Sequence, residues 1–276
     1  MDSRHLLDVF IAGVQKGGTT TLFSYLREHP QINAPSGKEL HFFDNESMDW
    51  EKPDYQLLQG FFPEARPDAL GMDATPIYCF WPQSLERIKA YNPQAKFILL
   101  FRDPFERAWS HWCMEYARDM DSMPFAEAIR TYETRVAGLA ENAAERRVFS
   151  YLERGRYGQQ VERLLSLFPR ENLLFLLSDD LKSDPHATLR RICGFLKIEA
   201  FAHITEKFEH VRKAIDYPCA PTEEDLRFFQ ERLGDEMMTF RALSGLDIGH
   251  WPIVTGQCKA ISVQAAEPVP LRKVSG

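Results

Sequence analysis

"FIAGVQKGGTTTL", residues 10–22, decides the reading of this chain. An apolar, β-branched run over residues 8–14 ends on Lys16, Gly17, Gly18 and Thr19, Thr20 and Thr21, and the sequence then turns apolar again. That order predicts a buried strand, a tight turn and a helix, with Leu22, Phe23 and Leu26 at helical spacing and a stop at Pro30. The first amides of a helix lack intrahelical partners, and with the helix dipole they favour an anion in front of them. The glycines let the backbone wrap close to phosphate oxygens, the threonine hydroxyls add donors, and Lys16 supplies a mobile positive charge. The same residues also suit a plain strand-to-helix turn with Thr19 as the helix cap.

The strand, turn and helix pattern recurs along the chain. "AKFILLFRDP" (95–104) is a continuous apolar run suited to a strand covered on both faces, followed by Asp103 as N-cap and Pro104 at the first helical position. "ENLLFLLSDDL" followed by "DPHATLRRICGFLKI" repeats it, a fourth strand is expected at Met72–Ala74, and "YGQQVERLLSLFP" reads as a helix. Residues 117–148 are charged and read as helical, without a catalytic signature. Alternation of this kind predicts an α/β fold, three layers with a central parallel sheet flanked by helices. No internal repeat or interdomain linker stands out, so residues 1–276 read as a single domain, with 262–276 a loose tail.

A chain of 276 residues that is 44% hydrophobic has material for a substantial core. Its formal charge of -7 argues against nonspecific binding of nucleic acid and leaves room only for a local basic cleft. Five scattered cysteines, with no C-x-x-C pair and no histidine at metal spacing, read as buried free thiols in a reducing compartment. No apolar run approaches the roughly 20 residues of a transmembrane helix, and Asp8 interrupts the signal-like start, so the expected location is cytoplasmic. The oligomeric state is not readable.

Two further stretches carry chemistry. Arg102 ends the "FILLF" strand, and Ser110 lies two helical turns along, on roughly the face of Asp103 and Arg107, so both can meet one ligand. The alternative is an arginine that only neutralises Asp103 or Glu106. In "KELHFFD" (38–44), an extended backbone would put Glu39 and His41 on one face and Leu40 and Phe42 on the other, offering a polar pair to a cleft. The alternative for Glu39 is a surface pair with Lys38.

Together "KGGTTTL", "KELHFFD", "TPIY" and "LLFRDPFERAWSHW" resemble the sulfotransferases that use 3'-phosphoadenosine 5'-phosphosulfate (PAPS), in particular the branch with the heparan glucosaminyl sulfotransferases and their bacterial relatives. The resemblance runs from about Asp8 to about Pro218. It implies a P-loop-like fold and transfer of a sulfuryl group from PAPS to a hydroxyl, less readily an amine, of a carbohydrate or glycan, or else of a secondary metabolite or lipid. It implies that Lys16, Gly17, Gly18, Thr19, Thr20 and Thr21 hold the 5' end of the donor and that Arg102 and Ser110 grip its 3'-phosphate. Arg212 and Lys213 are implied to cover it, Glu39 to act as general base, His41 to support Glu39, and no metal to be required. Asp73, Thr75 and Tyr78 are implied to line the acceptor cleft, with loop packing as the alternative; Arg154 and Tyr157 are implied to touch cofactor or acceptor, with helix-start packing as theirs. Several heparan-modifying members carry lysine where this chain has Ala74, which removes a charge that would face an anionic acceptor.

Two rivals belong to other classes. A nucleotide kinase or hydrolase carries G-x-x-x-x-G-K-[ST], with lysine after the last glycine, whereas Lys16 precedes the glycine pair. A noncatalytic nucleotide-binding module would keep Lys16 and Arg102 and make Glu39 dispensable.

Overall fold

The structure is a computed structural model that describes residues 6–62, 66, 68–205, 207 and 215–257. Five strands form its sheet: β1 (Val9–Gly13), β2 (Ile32–Asn33), β3 (Leu70–Asp73), β4 (Lys96–Phe101) and β5 (Leu173–Leu177). They lie in the order β2-β3-β1-β4-β5, and every pairing is parallel. The expected α/β architecture is therefore present. Strand β2 escaped the sequence reading because two residues are too few to display a period.

Why the strands read as continuous apolar runs is plain from their two faces. Val9 and Ile11, Ile98 and Leu100, and Leu174 and Leu176 point into one core with Leu22, Leu26, Leu189 and Ile192. Phe10 and Ala12, Phe97, Leu99 and Phe101, and Phe175 and Leu177 point into the other, with Leu85, Trp109, Val161 and Phe229. Helices cover both faces, so neither residue parity can be polar. Each fully buried Leu, Ile or Phe contributes about 1.5–3 kcal/mol relative to exposure.

The helix after β1, α1, spans Thr19–Leu26; α2 spans Ser84–Tyr91 and α3 spans Pro104–Tyr116. Thr19 does not cap α1. Gly18 occupies the cap position in the left-handed region, and Thr19 is the first helical residue. Asp103 does cap α3, with Pro104 at its first turn, as the sequence predicts. The charged stretch 117–148 resolves into three short helices, Phe125–Ala128, Tyr132–Arg135 and Ala144–Phe149. Among the described residues no helix is long and apolar enough to cross a membrane.

The Asp103 carboxylate does more than cap. One oxygen accepts from the Glu106 amide at 2.9 Å and the other from the Ile253 amide at 2.9 Å, tying the start of α3 to the far C-terminal part of the chain. Asp103→Ala removes a cap and orphans a buried amide, so a loss of about 2–4 kcal/mol is expected in urea denaturation. Asp103→Asn, which keeps one carbonyl acceptor, should lose less.

Candidate active site

The site begins where β1 ends. The Val14 amide donates to the Leu100 carbonyl of β4 at 3.0 Å, and the Gly17 amide donates back to the Val14 carbonyl at 2.9 Å. This presses Gly17 against β4 so closely that a Cβ there would collide with the Leu100 carbonyl oxygen. Gly18 has φ 92°, so the two glycines are needed for different reasons, one for space and one for conformation. Lys16 also lies in the left-handed region, with φ 69°. Thr19 is buried, while Thr20 and Thr21 are half-buried at the start of α1.

Because β4 lies beside β1, Arg102 leaves its strand next to this turn. Its Nη1 approaches the Lys16 carbonyl at 3.5 Å, while Nε and Nη2 donate to Glu106 at 3.2 and 3.1 Å. The Glu106 pairing left open by the sequence therefore exists, and in the same pose the guanidinium borders the glycine turn. The buried Tyr157 hydroxyl donates to the Arg102 carbonyl at 2.9 Å, fixing the strand end. On α3, Glu106 and Met114 are eight residues apart on one face, the first on Arg102 and the second 3.8 Å from Lys16 Nζ through its sulfur. Ser110 lies halfway between them on that face, half-buried, and so is carried towards the turn. Burial, with the Arg102 and Arg118 guanidiniums, brings the Lys16 ammonium down to about 8. Burial is the larger cause, the two guanidiniums add to it, and the Glu115 carboxylate opposes them; a bound anion would raise it.

On the other side of β1, β3 ends at Asp73 and supports the segment 39–44. Expectation and structure differ here: the segment is not extended. Glu39 and His41 have φ 66° and 51°, both left-handed, while Leu40 and Phe42 are buried between and after them. The polar pair still shares one side, but alternation of left-handed and buried residues achieves it. His41 Nδ1 meets Asp44 at 2.8 Å and its Nε2 lies 3.5 Å from Glu39; Lys38 pairs with the other Glu39 oxygen. Partial burial would raise the Glu39 carboxyl, yet hydrogen bonds and charge from His41 and Lys38 outweigh it and hold Glu39 at about 2. Hydrogen bonds to Asp44 and Glu39 carry His41 up to about 9.

Asp73, Thr75 and Tyr78 are all wholly buried, which corrects their expected place on a cleft wall. Thr75 and Tyr78 hydroxyls each donate to Asp73 at 2.8 Å, and the Tyr78 oxygen accepts from the Phe42 amide at 3.1 Å. The Leu40 amide also reaches the Asp73 carboxylate, whose burial pushes it up to about 6. The three hold the Glu39 segment from beneath. Ala74 is buried in a core cluster, Arg154 is buried and donates to Ser150 and to the Arg147 carbonyl, and Tyr157 serves Arg102 as described. Arg212 and Lys213 lie outside the described residues.

Sequence reasoning missed Asp44 and Arg147. Asp44 stood inside the quoted motif, three residues after His41, and that spacing was its signal. Arg147, which donates to Asp44, comes from 103 residues further along a stretch with no motif.

Residues 6–217 match the sulfotransferase domain family. The chain belongs to that family. It is 33% identical over 222 residues, 80% of its length, to human heparan sulfate glucosamine 3-O-sulfotransferase 3B1, and 33% identical over 222 residues to human 3A1. These matches cover 53% and 51% of the two relatives, so the chain aligns with about half the length of each. A sulfotransferase from Alicyclobacillus acidocaldarius shares the fold, with TM-score 0.73 and 24% identity over 89% of this chain and 98% of that one.

The two glycines of this sulfotransferase-family turn make separable demands. Gly18→Ala should cost about 1 kcal/mol of stability, the usual penalty of a left-handed alanine. Gly17→Ala, which forces the turn off β4, should lower the thermal midpoint further than Gly18→Ala does.

Proposed function

We propose that this chain transfers a sulfuryl group from PAPS to a hydroxyl of a carbohydrate acceptor. The observation that carries the reading is the meeting of three elements at one sheet edge: the glycine turn at the end of β1, Arg102 at the end of β4, and the Glu39 segment braced on the end of β3. Ligands of parallel α/β sheets bind beyond this edge. The names of the heparan sulfate relatives support a sugar hydroxyl as acceptor.

The turn suits the donor's 5' end, since the backbone at Gly17 and Gly18 leaves no side chain in the way and Lys16 has no carboxylate pair among the described residues. Arg102 and Ser110 provide a second, separated grip for the 3'-phosphate. Two grips let the site tell a 3'-phosphorylated nucleotide from AMP or ATP.

In the reaction the acceptor oxygen attacks sulfur, the bond from sulfur to the bridging phosphate oxygen breaks, and its electron pair leaves with the 5'-phosphate. Lys16 neutralises the charge that grows on that leaving oxygen. Glu39 takes the acceptor proton. A carboxylate held near 2 is a weak base, but the acceptor oxygen becomes strongly acidic as its bond to sulfur forms, so transfer late in the step suffices. Glu39 remains charged throughout the working pH range, and His41 keeps it oriented.

Adenosine 3',5'-bisphosphate should bind more tightly than AMP in calorimetry. Arg102→Ala should weaken the bisphosphate roughly 10- to 150-fold, the worth of one charged hydrogen bond, while changing AMP little. Equal affinities of the unaltered protein for both nucleotides would sink the two-grip reading.

Glu39→Gln should keep bisphosphate binding and lose most sulfate transfer. In the pH profile of kcat/KM for the donor, Lys16 is charged below about pH 8 and loses its proton above it, giving an alkaline limb there. Lys16→Arg, which does not titrate in this range, should remove that limb. No acid limb from Glu39 is expected above about pH 4, because its carboxyl is protonated only near pH 2.

A further inference from the structure

Arg147 sits in the short helix Ala144–Phe149, far in sequence from Lys16, Glu39, His41 and Arg102. Its guanidinium donates to the Asp44 carboxylate and, through Nη2, to the Asp44 carbonyl at 2.7 Å. It also lies over the Trp81 ring, 3.9 Å from the centroid. Its own carbonyl is fixed by the buried Arg154, whose Nη2 donates to it at 2.8 Å and whose Nε donates to Ser150 at 2.8 Å. Arg147 is therefore held from behind and grips Asp44 at two points in front.

What that grip governs is visible in the oxygen it uses. The same Asp44 Oδ2 accepts from Arg147 and meets His41 Nδ1 at 2.8 Å. Asp44 is almost wholly buried, so a rotation of its carboxylate has no solvent to compensate a lost partner. With Nδ1 committed to Asp44, Nε2 is the ring nitrogen left to face Glu39. Imidazole orientation is set in this way by the partner of the opposite nitrogen.

The geometry points to Arg147 as a positioning residue for sulfuryl transfer, acting through Asp44 to hold His41 against the Glu39 carboxylate. This rests on Glu39 being the base. The segment 144–149 thereby becomes part of the working site, although it supplies no group to the reacting atoms. A misplacement of about 1 Å at a reacting group can cost roughly 100-fold, so the lever is long enough to be measured.

The test is a double-mutant cycle between Arg147→Met and Asp44→Asn, read in sulfate transfer from PAPS, with bisphosphate affinity and thermal midpoint measured on every variant. Arg147→Met should lower kcat roughly 10- to 100-fold with bisphosphate affinity retained. Asp44→Asn should produce a comparable loss, and the double variant should be no worse than Asp44→Asn alone to within about twofold. Arg147→Met turning over at the unaltered rate, or losses that multiply in the double variant, would overturn the inference. Should Arg147→Met fail to fold, the cycle is run with Arg147→Lys. Lysine offers a point charge in place of a two-point fork, so a loss of roughly threefold or more is expected, again absent beside Asp44→Asn. A Lys variant at the unaltered rate overturns the positioning role. Glu39→Gln alone separates the two readings: full transfer by that variant removes the base assignment, whereas multiplying losses beside an inactive Glu39→Gln remove only Arg147.

Discussion

Everything at the working edge of this protein depends on how closely the first turn approaches the neighbouring strand. The contact is backbone on backbone, with the Val14 amide on the Leu100 carbonyl and Gly17 filling a space that excludes even a methyl group. Since no side chain mediates it, the distance between the turn and the end of β4 is set by sheet geometry. Arg102 follows Leu100 by two residues, so its place beside Lys16 is a consequence of the same contact. A bulkier residue at position 17 would push the turn and the end of β4 apart.

A second constraint is conformational. Among the described residues six non-glycine positions have positive φ, and three of them are Lys16, Glu39 and His41. Each costs on the order of 1 kcal/mol relative to a relaxed backbone, and glycine would avoid the cost. At 39–42 the strain is over-determined from beneath: Leu40 and Phe42 are buried, and the Asp73 and Tyr78 bracket takes the Leu40 and Phe42 amides. Asp73 is itself an expensive foundation, a fully buried carboxyl, and its two hydroxyl donors and one amide are what make its burial tolerable.

Those particulars explain what was legible beforehand. Buried parallel strands and a proline-led, aspartate-capped helix leave local marks, so β1, β4, β5 and α3 could be read directly, and with them the placement of Lys16, the glycines and Arg102 just past strand ends. The 39–44 segment misled because alternation of apolar and polar residues is the same string whether the backbone is extended or passes twice through the left-handed region. Asp73, Thr75 and Tyr78 carry no mark of burial in a sequence; only the segment laid over them makes them interior. Arg147 was beyond reach for a different reason, since its partnership with Asp44 closes a loop of 103 residues and no local period encodes that.

The distribution of cations completes the picture. In a chain of formal charge -7, many arginines are committed to carboxylates in the interior or at its margin: Arg87 to Glu46, Arg130 to Asp225, Arg135 to Asp121, Arg147 to Asp44 and Arg163 to Glu86. Such pairs fix geometry and leave little field for a distant ligand. Lys16 differs: burial first, and then the nearby Arg102 and Arg118 guanidiniums, push its proton off, and its Nζ approaches the Met114 thioether. Lys16 thus stands at the turn with no carboxylate ion pair among the described residues, although the protein is net acidic. Under that arrangement long-range attraction for a polyanion is weak, and an anion at the turn is favoured by short-range contacts.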